Sequence, residues 1–231
     1  EHKRQGRVIR RRVQSDPAYA AMVQTVDANV GRLLAALDEA HVADDTVVVF
    51  TSDNGGLATA EGSPTCNAPL AEGKGWMYEG GTREPMLVRW PGVTAPDSLC
   101  RVPVTSPDLY PTFLEIAGLA PRPAQHCDGV SFAPLLRGAG RLDRDAIFWH
   151  YPHYANQGGR PGCSVRSGDY KLIEFFEDRH VELYNLREDI GETHDLAREN
   201  TAVADHLRGL LRDWLQRVDA KIPQPNPDWS V

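Results

Sequence analysis

Asp53 and Asn54 stand side by side at the end of the β-branched run in "TVVVFTSDNGG", and two glycines follow at once. A carboxylate and an amide there present two hard oxygens in one direction, which suits Ca²⁺ or Mg²⁺. The glycines let the backbone turn sharply and leave room for a ligand. The same pair also suits a helix cap or an Asx-turn after a strand. About twenty residues on, Lys74 lies between two glycines in "GKGWMYEGGTREPMLVRWPG". Little around it shields its ammonium, so it is either a point-charge clamp for an anion or a solvated loop lysine. Glu79 and Arg83 flank Gly80 and Gly81. They are suited to pair or to hydrogen-bond the loop and hold it still. A cation-ligand pair followed by an anion clamp suits hydrolysis of a phosphate or sulfate ester.

The elements that must position these residues are legible nearby. "SDPAYAAMVQTVDANVGRLLAALDEAHV" reads as a long amphipathic helix, capped at Ser15 or Asp16 with Pro17 in its first turn. Tyr19, Met22, Val23, Val26, Val30, Leu33, Leu34 and Leu37 recur at helical spacing and are expected to form its buried stripe. "TVVVF" follows a short link and is apolar throughout, as for an interior strand of a parallel sheet covered on both faces. Helix, link and buried strand indicate an α/β layer architecture. Residues 55–84 form a long irregular segment of functional-loop length. "PMLVRWPG" is a second strand closed by a turn. "SPDLYPTFLEIAGL" is a helix capped by Ser106, with Pro111 marking a kink or a late start. Asp108 and Tyr110 are read there as helix-start and packing residues. "APLLRGAGRLDRD" is expected to be a surface connection. From about Ala146 the texture changes to short strands, "AIFWHY", "CSVRSGDYKLIEFF" and "RHVELYNL", indicating an antiparallel sheet. "TAVADHLRGLLRDWLQRV" is a final amphipathic helix suited to cover one face of that sheet. The tail "KIPQPNPDWSV" is Pro-rich and expected to be extended.

Composition narrows the function classes. The 231 residues carry a net charge of −7 and are 41% hydrophobic. Mild acidity disfavours nucleic acid as partner. No apolar run approaches the ~18 residues of a membrane span. The opening "EHKRQGRVIRRRVQ" is basic and lacks the apolar core of a signal peptide. Cys66, Cys100, Cys127 and Cys163 form no CxxC pair. They are expected to be wholly or partly free, with two disulfides as the alternative.

"VVVFTSDNGG" followed by "GKGWMYEGGTREPMLVRWPG" resembles the sulfatase family, the arylsulfatase A-like group of the alkaline-phosphatase-like superfamily. The resemblance extends through "DGVSFAPLLRG" and "GDYKLIEFFEDRHVELYNLREDIGETHDLA". It implies an α/β fold: a partial alkaline-phosphatase-like sheet over residues 1–143, then a small antiparallel β-sheet plus helix over 144–231. It implies that Asp53 and Asn54 are two ligands of one active-site Ca²⁺ and that Lys74 binds a sulfate oxygen. His153, less so His150, in "FWHYPHYANQGG" and Asn67 in "TCNAP" are then candidates for the rim of a sugar subsite. The family's nucleophile is a formylglycine made within C/S-x-P-S/A-R. "CNAPL", "CRVPV", "CDGVS" and "CSVRS" all depart from that pattern. The first-strand aspartates, the arginine and lysine near the nucleophile and the upstream "H-x-P" histidine have no counterpart either, and His2 lacks that setting. The expectation is therefore the downstream part of a sulfuric ester hydrolase, acting on aryl or carbohydrate sulfates. The formylglycine segment is expected upstream, and the isolated chain is expected to be inactive. Export to the periplasm or beyond is implied by resemblance alone. A phosphatase or phosphonate hydrolase of the same superfamily, or a non-catalytic module that binds sulfated glycans, are the alternatives.

Overall fold

The computed structural model describes residues 2–5, 8–224 and 226–228. The Pro-rich tail runs outside the described residues at Pro225 and at Trp229–Val231. The packing separates into two compact units that interleave along the chain. The first gathers Glu1–Asp16, Asn54–Glu84 and Asp145–Val231, the second Pro17–Asp53 and Pro85–Arg144. Grouped by packing rather than along the chain, residues 54–84 therefore go with the C-terminal sheet.

In the second unit, α1 runs from Pro17 to Glu39. Its helix is where the pattern places it, but its apolar stripe is not core. No residue of α1 is buried, and Met22 and Leu33 are 64% and 68% exposed. Periodicity identifies residues that share a face. It says nothing about whether another surface covers that face. "TVVVF" also departs from expectation. β3 (Val48–Thr51) pairs antiparallel with β4 (Met86–Arg89) in a two-stranded sheet, not as an interior parallel strand. The register sets Val49 opposite Val88 and Phe50 opposite Leu87. Phe50 is 40% exposed. A β-branched run favours extended backbone, but partner and direction are long-range choices.

The helix α3 (Leu109–Ile116) starts late, so Pro111 falls in its first turn, where no helical N–H is lost. Its lead-in is capped from Thr105 rather than Ser106: Thr105 N donates to Asp108 Oδ2 at 2.7 Å. Asp108 is fully buried because Arg144 Nη1 (2.7 Å) and Val130 N (2.8 Å) both donate to its Oδ1. "APLL" is not a plain surface link. It forms the one-turn helix α4 (Ala133–Leu136), which buries Ala133 and Leu135.

In the first unit, β1 (His2–Gln5) and β2 (Val8–Arg11) pair antiparallel, and α2 (Glu79–Thr82) is a single turn. The C-terminal sheet is the expected one, in the order β5 (Ile147–Tyr151), β6 (Gly162–Ser167), β7 (Tyr170–Phe175), β8 (Val181–Asn185), all antiparallel. Alternation along β7 sends Leu172 to one face and Ile173 to the other. Leu172 packs with Val165, Leu183 and, from α5 (Thr201–Arg217), Leu207 and Leu211. Ile173 joins Phe175, Tyr184, Leu186 and Met77 on the opposite face. Met77 belongs to the 55–84 segment, so the sheet's second face is the floor on which that loop is laid. All four cysteines are free. Burial pushes the Cys163 thiol up to about 12, which leaves it an inert packing group. Among the described residues no helix is long and apolar enough to cross a membrane.

Candidate functional site

Asn54–Gly56 and Lys74 are neighbours in the first unit. Lys74 N donates to Gly56 O at 3.2 Å, and Gly55 N donates to Gly81 O at 3.2 Å. The paired glycines follow from that packing. A Cβ on Gly55 would collide with the Gly80 carbonyl, and one on Gly73 with the Gly56 carbonyl. The two loops touch through bare backbone, and only glycine permits so close an approach. Asn67 braces the same junction, with its Nδ2 on Gly56 O (2.8 Å) and Glu72 O (2.9 Å).

Asp53 is exposed, two residues beyond the end of β3, and is the last residue of its unit. Asn54 is half-buried. Lys74 is exposed, which suits an anion clamp and a solvated loop lysine alike. His153 is exposed, with its ring edge-on to Tyr151 at 5.4 Å. His150 Nε2 lies 3.1 Å from Lys221 O. Among the described residues no group of three or more His, Cys, Asp or Glu side chains gathers as a metal cage. Asp53 and Asn54 fit a hard cation by oxygen type, but Ca²⁺ takes 6–8 oxygens, so a site there would need further ligands.

What holds the loop still is a buried ion cluster that the sequence hinted at only through Glu79 and Arg83. These two do pair, at 3.4 Å. The stronger partners come from the sheet. Lys171 Nζ, on β7, is 3.0 Å from Glu79 Oε1 and 3.1 Å from Glu192 Oε1. Glu192 Oε2 accepts Glu79 N at 2.6 Å, and Arg166 lies 3.5 Å from Glu79 Oε2. Glu79 and Lys171 are essentially inaccessible. Burial pushes the Glu192 carboxyl up to about 7, against the pull of the Lys171 ammonium. One residue earlier, Tyr78 donates to Glu182 Oε2 at 2.7 Å, and Tyr184 donates to the same oxygen at 2.9 Å. Burial, with the Glu182 carboxylate beside them, drives both phenols well above the usual tyrosine range, so both stay donors. Trp76 Nε1 donates to Thr59 Oγ1 and Gln157 O, both at 3.1 Å. Lys171 had a faint signal in the sequence, a lysine inside the largely apolar strand "YKLIEF". Glu192, in "DIGETHD", had none.

Comparison with known proteins places the chain in a family. Residues 1–119 match the family model "Sulfatase", and residues 72–220 match "N-sulphoglucosamine sulphohydrolase, C-terminal". A sulfatase of Formosa agariphila is 38% identical over 94% of this chain and 44% of its own length. Human arylsulfatase A is 40% identical over 68% of this chain and 30% of its own. The solved structure of Ps i-CgsB in complex with k-i-k-neocarrahexaose superposes with a TM-score of 0.76 at 31% identity, over 88% of this chain and 44% of that one. BT4656 in complex with its substrate D-glucosamine-2-N,6-O-disulfate gives 0.74 at 29% identity, over 89% and 41%. The chain thus spans less than half the length of these relatives. Its mixed α/β fold is the sulfatase, alkaline-phosphatase-like fold. With two family models that each match more than half of its residues, the chain belongs to the sulfatase family, in its arylsulfatase A-like group.

Proposed function

We propose that this chain is the downstream part of a sulfuric ester hydrolase that acts on carbohydrate or aryl sulfates. The observation that carries the reading is the junction of Lys74 N with Gly56 O at 3.2 Å, which ties the anion clamp to the loop bearing Asn54. The printed substrate of BT4656, a disulfated glucosamine, supports a sulfated sugar as ligand. Asp53 and Asn54 would hold Ca²⁺, which polarises the sulfate when bound. Lys74 supplies a full positive charge to a sulfate oxygen and offsets charge that builds as the S–O bond breaks. Glu79, Lys171 and Glu192 keep the 73–83 loop from drifting, so that this charge meets the ester in one geometry. Asn67 through its Oδ1, and His153 from the exposed 152–156 loop, are proposed as rim residues toward the sugar. The nucleophile is expected from a C/S-x-P-S/A-R segment in the rest of the protein, and the division into 1–143 and 144–231 is part of the same proposal. Export is proposed from the family alone.

The test is sulfate release from an aryl sulfate and a sugar sulfate by the full-length protein and by the 231-residue chain. Turnover by the full-length protein that a Ca²⁺ chelator abolishes, with none from the chain, is expected. Phosphate release from the matching phosphate esters in place of sulfate release would overturn the assignment.

A further inference from the structure

Asn54–Gly55 is the one Asn-Gly step among the seven asparagines of the chain, and each of the other six is followed by a residue with a Cβ. The difference is chemical. The backbone nitrogen that follows an asparagine can attack the side-chain carbonyl carbon, so asparagine is a labile residue. A Cβ on the following residue hinders that approach, and glycine removes the hindrance. Substitution at Gly55 is closed by packing, since a Cβ there would collide with the Gly80 carbonyl. The contact between bare backbones that joins the two loops thus sets the most labile kind of asparagine at its edge.

The same contact restrains the attacking atom. Gly55 is buried, and its N–H donates to Gly81 O at 3.2 Å. Attack on Asn54 Cγ needs that nitrogen released and the backbone turned toward the side chain. Gly81 O is itself held. It lies in α2, where Gly80 N donates to Ala71 O at 2.7 Å and Glu79 Oε1 meets Lys171 Nζ at 3.0 Å. We propose that Asn54 is a deamidation site, closed by the Gly55–Gly81 contact and opened when the α2 turn lifts. In the open state Gly55 N bonds to Asn54 Cγ. The bond from Cγ to the side-chain nitrogen breaks, and that nitrogen leaves as ammonia with the proton from Gly55 N. Water then opens the five-membered ring at either carbonyl, which leaves an aspartate or an isoaspartate. Isoaspartate lengthens the main chain by one carbon, in a junction with no room for a single Cβ. The product therefore keeps the junction apart, and the step is a one-way release of the loop that carries Lys74. The chemistry needs neither a metal at Asp53 and Asn54 nor a sulfate at Lys74, so it stands apart from the ester-hydrolysis reading.

Peptide mass mapping of the full-length protein tests this during long incubation at neutral pH, folded and in urea, with aspartate and isoaspartate peptides separated by retention. Conversion of Asn54 is expected to be at least about tenfold slower in the folded protein than in urea, because it waits on a local opening. Lys171→Met, which frees Glu79, should speed conversion in the folded protein by about threefold or more. Leu211→Ala lies on the other face of the sheet and should leave the rate within about twofold, since the opening is local rather than global. Hydrogen exchange at the Lys74 amide should rise in step with the isoaspartate fraction. Equal rates folded and in urea, a Lys171→Met rate no faster than that of Leu211→Ala, or a Lys74 amide that stays protected in the converted protein would each overturn the proposal. The comparison of folded with urea-treated protein needs no variant, so it decides the matter even if Lys171→Met does not fold.

Discussion

Lys171 and Glu79 meet at 3.0 Å although 92 positions separate them in the chain, and both are shut off from solvent. This pair joins the loop that carries Lys74 to the C-terminal sheet. An ion pair in such surroundings is costly to assemble, and removing one partner leaves the other charge stranded.

Lys171→Met should therefore destabilise the protein by about 3–5 kcal/mol, because two carboxylates lose the cation between them. Urea denaturation measures this. A loss below about 1 kcal/mol, the size of a surface pair, would show that the cluster is not closed as described.

Glu192 makes stability depend on pH with a definite sign. Its carboxyl is raised from 4.5 to about 7 by burial, with Lys171 and Glu79 the charged groups facing it. Between those values the native state keeps a proton that the unfolded chain has released. The contribution of Glu192 to stability is then greatest below 4.5 and falls as pH rises toward 7, by at most about 3 kcal/mol. The difference between the wild type and Glu192→Gln, followed by denaturation across that range, should carry this slope. A difference that is flat with pH would contradict it.

Gly55→Ala should cost about 1–3 kcal/mol, because its methyl can fit only if the Gly80 backbone retreats. Hydrogen exchange at the Gly55 and Lys74 amides, whose acceptors lie across the same junction, should rise with it. Unchanged protection at both would show that the loops do not depend on each other.

Lys74→Ala separates function from folding. The side chain is exposed, so stability should change by less than about 0.5 kcal/mol. In the full-length protein turnover should fall by about 10²-fold, mostly in kcat, since the charge acts on the transition state. Normal turnover would remove Lys74 from the site.

Leu211 and Leu33 offer a matched pair of truncations. Leu211→Ala, in the fully buried seam between α5 and the sheet, should cost about 2–5 kcal/mol. Leu33→Ala, on the exposed face of α1, should cost little in this chain. Equal losses would mean that the α1 stripe is covered after all.

The local text of the chain determined a good deal. The 3.6-residue spacing of "AAMVQTVDANVGRLLAAL" marked a helix, the alternation after Ala146 marked antiparallel strands, and the glycine-framed Lys74 and the Asp53–Asn54 pair marked a candidate site. These are readable because helix period, strand period and turn chemistry act over a few residues. What the chain could not announce was the pairing of distant parts. Antiparallel pairing of β3 with β4 and the capture of Glu79 by Lys171 and Glu192 bring together residues far apart in sequence, and the exposure of the α1 stripe follows from what does not pack on it. Burial and charge pairing depend on what arrives across the fold, and so only the tertiary structure decided them.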